Sequence, residues 1–225
     1  MSDFLNQMNW SKLIFYGFYA FSALFCITVH ELCHGLAAKC LGDPTAKQMG
    51  RLSLNPLRHI DLFGLLMLVT VQVGWAKPVP INMTYFKHPK RDMAITSLAG
   101  PASNFVLAWA VLLLSRLLMW LQPTGTVWGY VYLMLLYTAV LSVGLGVFNL
   151  IPLPPLDGSK VVLAFLPDRI CYQILRLERY GMLILVALVW FGVFTGPLTV
   201  LRAEAMRIVC TLSGFPYDII QYYFN

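Results

Sequence analysis

Residues 13–41 read LIFYGFYAFSALFCITVHELCHGLAAKCL, apolar almost without interruption as far as His30. At about 1.5 Å per residue such a helix is about 43 Å long, more than the roughly 30 Å hydrocarbon core of a bilayer. No basic stretch precedes the run, and no small-residue cleavage site follows before His30 and Glu31. It therefore reads as a mature transmembrane helix rather than a secretory signal peptide. The rest of the chain agrees in character. Of its 225 residues 59% are hydrophobic and 12% charged, against about 45–50% and 25% in soluble domains, and the mean hydropathy is +0.70. An ordinary soluble globule is excluded. Five cysteines without a C-x-x-C pair indicate neither a disulfide framework nor a zinc ribbon. In so apolar a chain the net charge of +6 reads as topology information, and no nucleic-acid partner is expected.

Further apolar runs follow at 95–121, 127–151 and 180–201, giving about four clear transmembrane helices. Between the first and second lie a polar stretch rich in Gly and Pro, 42–61, and a loop-like stretch, 77–92, around a fifteen-residue apolar segment, 62–76. That length is marginal for a span. Twelve of the sixteen basic residues fall in 39–58, 77–91 and 160–179, whereas the turn at 122–126 has none. The positive-inside rule puts the three basic stretches in the cytosol. Both flanks of 62–76 then share a side, which favours a re-entrant or β-hairpin segment over a full crossing, with the crossing kept as the alternative. The expected architecture is an all-α polytopic membrane protein in one domain, with a catalytic core over 13–158 and C-terminal helices over 159–225. Within the latter, 202–225 reads either as an interfacial tail or as a further helix.

The first helix carries His30-Glu31-Leu32-Cys33-His34, an H-E-x-x-H pattern. Residues i and i+4 lie one turn apart on one face, so two imidazoles converge on one Zn²⁺. Glu31 lies beside them, placed to take a proton from water at the remaining coordination position. Three ionisable groups in an apolar helix are costly unless paired or bound to metal. A third ligand must come from another helix, and Asp157 is the acid best placed, at the cytosolic end of the span that starts at 127. Pro152, Pro154 and Pro155 break the helix just before it. Cys26, Cys33 and Cys40 recur every seven residues beside the histidine face and read as small packing residues.

HELCH (30–34), GRLSLNPLRHID (50–61), GWAKPVPIN (74–82), LAGPASNF (98–105) and NLIPLPPLDG (149–158), in this order, resemble the site-2 protease family of intramembrane zinc metalloproteases. The similarity covers about 30–158 and is nearest to the short bacterial members without a PDZ domain. The resemblance implies His30, His34 and Asp157 as ligands of one zinc per chain, Glu31 as catalytic base, and Asn104 and Asn149 lining the active site. For these two asparagines a hydrogen bond to the scissile strand or oxyanion and an interhelical hydrogen bond stand as equal readings. The sequence departs from many relatives at Leu62, where they carry proline, a difference at the start of 62–76 and away from the metal ligands. The implied activity is an endopeptidase of the bacterial cytoplasmic membrane that cleaves a transmembrane or membrane-proximal segment of another protein near the cytosolic face. Its partners are then the bilayer, the membrane-protein substrate and regulatory membrane proteins. A catalytically silent scaffold or a metal transporter using the same His/His/Asp set is the competing class.

Overall fold

The computed structural model describes residues 10–64 and 76–224. The first apolar run forms α1, Trp10–Cys40. It ends where Gly42 turns the chain at φ 108°, and a short helix α2, Thr45–Gln48, follows. The second run forms α3, Pro89–Leu121, which starts earlier than its apolar stretch because Pro89 takes the first helical position and Asp92 accepts the His88 N–H at 3.0 Å. The third forms α4, Thr126–Asn149. These three helices are long and apolar enough to cross a bilayer.

The fourth expected span, 180–201, is not one straight helix. Helix α6, Asp168–Trp190, and helix α7, Thr195–Ser213, meet at 91° across a four-residue break. Gly192 adopts φ 69° in that break, and the Thr195 hydroxyl donates to its carbonyl at 2.7 Å. The phenylalanines around Gly192 keep the run apolar and hide the turn in the sequence. Residues 202–213 accordingly continue α7, and α8, Tyr217–Phe224, takes up most of the remaining tail. The further-helix reading of 202–225 is the one observed.

The core lies where α3, α4 and α7 meet, around Leu112, Leu136, Val143, Met206 and Cys210. Small and polar residues bring the backbones close. A Cβ on Gly146 of α4 would stand 3.3 Å from the Pro101 carbonyl oxygen and the Phe105 ring of α3. The Thr138 hydroxyl donates to Ser22 of α1 at 3.0 Å, and Ser142 donates to the Asn104 carbonyl at 2.8 Å. Cys26 points its sulfur at the Thr138 carbonyl at 3.5 Å, the packing role expected of it. At the opposite end of the bundle Arg116 and Trp109 of α3 donate to the Ser213 and Leu212 carbonyls that close α7.

Residues 65–75, and with them most of the expected re-entrant or hairpin segment, lie outside the described residues. Their flanks are joined: Ile60 and Ala76 form an antiparallel bridge, and Lys77 N–H donates to the His59 carbonyl at 2.9 Å. The two described flanks of the segment thus lie side by side. Beyond the bridge, 77–82 forms neither helix nor strand and is tied to the preceding loops. Arg51 donates to the carbonyls of Lys77 at 2.7 Å and Pro78 at 3.3 Å, and Asn82 N–H donates to Asp43 at 2.7 Å.

Burial pushes the Asp43 carboxyl up, but the Thr45 hydroxyl and the Asn82 and Thr45 N–H groups outweigh it and hold the group below the usual carboxylate range. Its stabilising contribution is therefore present above the ordinary aspartate value near 3.9 and lost as pH falls through the lower folded value. Asp43→Asn replaces an acceptor with a donor facing Asn82 and should cost about 1–2 kcal/mol at pH 7. In thermal unfolding of detergent-solubilised protein, the gap from wild type should narrow as the solution is acidified through that range.

Candidate metal centre

Helical spacing stacks His30 over His34, with ring centroids 4.6 Å apart. Asp157 reaches them from the far end of α4 through a loop that the prolines keep out of helix. Leu153 N–H donates to Ile151, Leu156 N–H to Leu153, and helix α5, Asp157–Leu163, then begins. Gly158 makes the fold-back feasible: a Cβ there would stand 2.2 Å from the Leu150 carbonyl oxygen and 2.7 Å from that of Ile151. The outer side of the loop is closed by Gly181 of α6, where a Cβ would meet the Pro154 carbonyl oxygen at 2.8 Å.

The result is a triangle of ligand atoms. His30 Nε2 and His34 Nε2 are 3.0 Å apart, and each is 3.1 Å from Asp157 Oδ2. All three residues are at most 9% exposed. Adjacent donors on a tetrahedral zinc, with bonds of about 2.0–2.2 Å, lie roughly 3.3 Å apart, so the triangle has the size of one face of that tetrahedron. Hydrogen bonding alone explains it poorly, since three mutually facing acceptors would have to share protons at its centre. A cation satisfies all three, and the donor set of two imidazoles and a carboxylate suits zinc.

The atoms behind the triangle support this reading. His34 Nδ1 is 2.7 Å from the Thr96 carbonyl oxygen, which accepts its proton and leaves Nε2 with the lone pair. His30 Nδ1 is 3.1 Å from the Asn104 side-chain nitrogen, while Asn104 Oδ1 is buried without a partner. Turning the amide about its axis lets Oδ1 accept from His30 Nδ1–H and leaves His30 Nε2 free to bind metal, with the amide nitrogen taking the other position. Asp157 Oδ1, the oxygen outside the triangle, lies 4.0 Å from the Lys160 ammonium.

Of the residues singled out from the sequence, the structure brings His30, His34, Asp157 and Asn104 into one cluster. Asn104 is fully buried behind His30, with its side chain against the imidazole across two helices. Asn149, half-buried, donates to the Leu145 carbonyl of its own helix at 3.0 Å. Glu31 follows His30 on α1 and accepts the Val79 N–H on Oε2 at 2.9 Å. Gly100 enters the sequence only as part of the LAGPASNF motif. A Cβ there would stand 2.3 Å from His34 Nε2 and 2.7 Å from His30 Cε1, so its missing side chain is the space in which the imidazoles sit. Its place in LAGPASNF, four residues before Asn104, was the available signal.

Gly100→Ala should therefore lose bound metal at least tenfold, and Asp157→Asn should sharply lower zinc content, both measured by elemental analysis of purified protein. Asn104→Ala should weaken zinc affinity by about 10–100-fold, the usual effect of removing a partner that orients a metal-bound histidine. A competition titration with a chromophoric chelator would measure it.

Comparison with known proteins places the chain. The family model described as "Peptidase family M50" matches residues 122–192. "Putative zinc metalloprotease YwhC" of Bacillus subtilis is 35% identical over 170 residues, 72% of this chain and 74% of that protein. "Putative zinc metalloprotease Rip2" of Mycolicibacterium smegmatis is 31% identical over 170 residues, 73% of this chain and 63% of that protein. The protein of the same name from Mycobacterium tuberculosis is 32% identical over 142 residues, 60% of this chain and 52% of that protein. No solved structure matches. With the His/His/Asp triangle at the junction of α1, α3 and α5 and a relative matched over most of both lengths, the chain belongs to peptidase family M50, the site-2 protease family.

Proposed function

We propose that the chain is an intramembrane zinc endopeptidase that cleaves transmembrane or membrane-proximal segments of other membrane proteins, in regulated intramembrane proteolysis. The observation that carries this reading is the buried 3.0–3.1 Å triangle of His30, His34 and Asp157 with Glu31 next in sequence on the same helix. A buried metal triangle has structural uses too, but those are served by closed four-ligand sites, whereas three protein ligands leave a position open.

His30, His34 and Asp157 would hold one zinc per chain, which supplies a Lewis acid that makes water nucleophilic near neutral pH. Glu31 takes the proton from the attacking water and returns it to the leaving amine. Its Oε2 is engaged by Val79 N–H, so Oε1 carries the proton. Thr96 and Asn104 fix the imidazole orientations from behind. Gly100 keeps the space in front of them clear. A helical substrate hides its carbonyls in its own hydrogen bonds and must unwind before any of these groups can reach it.

Orientation follows from charge. Lys39, Lys87, Lys90, Arg91 and Lys160 gather at the end of the bundle where α1 ends and α3 and α5 begin. The turn between α3 and α4 carries no Lys or Arg. In a bacterial cytoplasmic membrane this puts the metal nearer the cytosolic face, and the matched relatives are bacterial.

Glu31→Gln should retain zinc and lose cleavage by roughly 100-fold or more. The measurement is a library of single-span reporter fusions co-expressed with wild type or variant, with cleavage read by blotting and cut sites by mass spectrometry. Purified protein should cleave the same reporter and stop on addition of a zinc chelator. Glu31→Gln protein that cleaves at the wild-type rate sinks the reading.

A further inference from the structure

In 77–82, KPVPIN, prolines stand on both sides of Val79. Proline has no N–H, so Val79 carries the one backbone donor of residues 78–80, and that donor meets Glu31 Oε2 at 2.9 Å. The segment is held independently of this contact. Lys77 is tied through its N–H to His59, and through its carbonyl to Arg51, which also binds the Pro78 carbonyl. Asn82 is tied to Asp43, itself fully buried. The Val79 side chain is 6% exposed, and its Cγ1 lies 3.2 Å from where a Cβ on Gly35, one turn after Glu31, would stand. Anchors on either side thus place a single N–H against one oxygen of one carboxylate.

A glutamate on a helix surface samples several rotamers, and each rotatable bond that must be fixed in the reacting state slows the reaction. We infer that Val79 is a positioning residue for Glu31: its N–H fixes Oε2, sets the carboxylate rotamer before substrate arrives, and leaves Oε1 for the proton. This rests on the hydrolase reading above and extends it to a backbone donor supplied by another segment. The prolines serve the same end. They restrict the backbone of the segment and strip it of competing donors, so the carboxylate meets one partner in one place. A contact that merely tethered the loop would affect folding and zinc retention, whereas a positioning contact affects turnover.

Two measurements on the full-length protein in micelles test this. In hydrogen–deuterium exchange of the peptide covering 76–82, Glu31→Ala should raise exchange by one amide, that of Val79. The Lys77 and Asn82 amides, bonded elsewhere, should stay protected. Unchanged exchange at Val79 overturns the inference whatever the activity. In kinetics on a reporter cleaved by wild type, Val79→Pro, which deletes the N–H, should lower kcat at least tenfold with KM and zinc stoichiometry within twofold. Val79→Ala, which keeps the N–H, should stay at least fivefold above Val79→Pro. Wild-type turnover by Val79→Pro, or a fall shared with lost zinc and unaccompanied by the exchange signature in Glu31→Ala, overturns it. If wild-type protein shows no Glu31-dependent cleavage of any reporter, the hydrolase reading fails, and the exchange measurement still decides whether Val79 holds Glu31.

Discussion

Three electron-rich atoms facing one another at 3.0–3.1 Å, away from water, are unstable without a positive charge between them. Much of the surrounding structure is explained by the need to hold them there. Helix α1 contributes two of them because a turn of helix repeats every 3.6 residues. The third comes from a chain that has crossed and returned through α3 and α4, and the proline loop stops α4 from running past the point where Asp157 must turn inward. Helix α3 gives no ligand and yet is essential to the arrangement. Its Thr96 carbonyl and Asn104 side chain meet the rear nitrogens of the imidazoles, and Gly100 leaves room for their front edges.

Several polar groups in the bundle are accounted for in pairs. Ser22 with Thr138, Ser142 with the Asn104 carbonyl, and Arg116 with the end of α7 each satisfy one group with another from a neighbouring helix. In hydrocarbon the alternative partner, water, is missing, so each such pair fixes the register of two helices as well as its own hydrogen bond. The Ser142 bond is a direct link between core and site, since the residue whose carbonyl it holds is the one whose side chain reaches His30.

The three long helices were legible in the sequence because hydrocarbon thickness sets a length that apolar runs either meet or miss. The histidine pair and Asp157 were legible for a different reason: charge is scarce in this chain, and an ionisable residue inside an apolar run stands out. What escaped were features written in small or apolar residues. The bend between α6 and α7 sits at Gly192 amid phenylalanines, where hydropathy registers no change. Gly100 and Gly158 matter for atoms that they lack, and a one-dimensional reading cannot see which neighbours press on them. Val79 was invisible because its contribution is a backbone N–H, common to all residues except proline, and only the fold reveals that it points at Glu31. That Asn104 lies directly behind His30 was likewise invisible, since a single amide within a span does not name its neighbour.

The bridge between Ile60 and Ala76 fastens the two ends of 61–75 to each other. The path from α1 to α3 is therefore pinned at that bridge. Lengthening a loop that is already closed costs little, about 0.6 kcal/mol for each doubling. The length of chain between the two ends can therefore change at small cost to the closure itself. An insertion there would leave the bridge, and the described helices on either side of it, joined as they are.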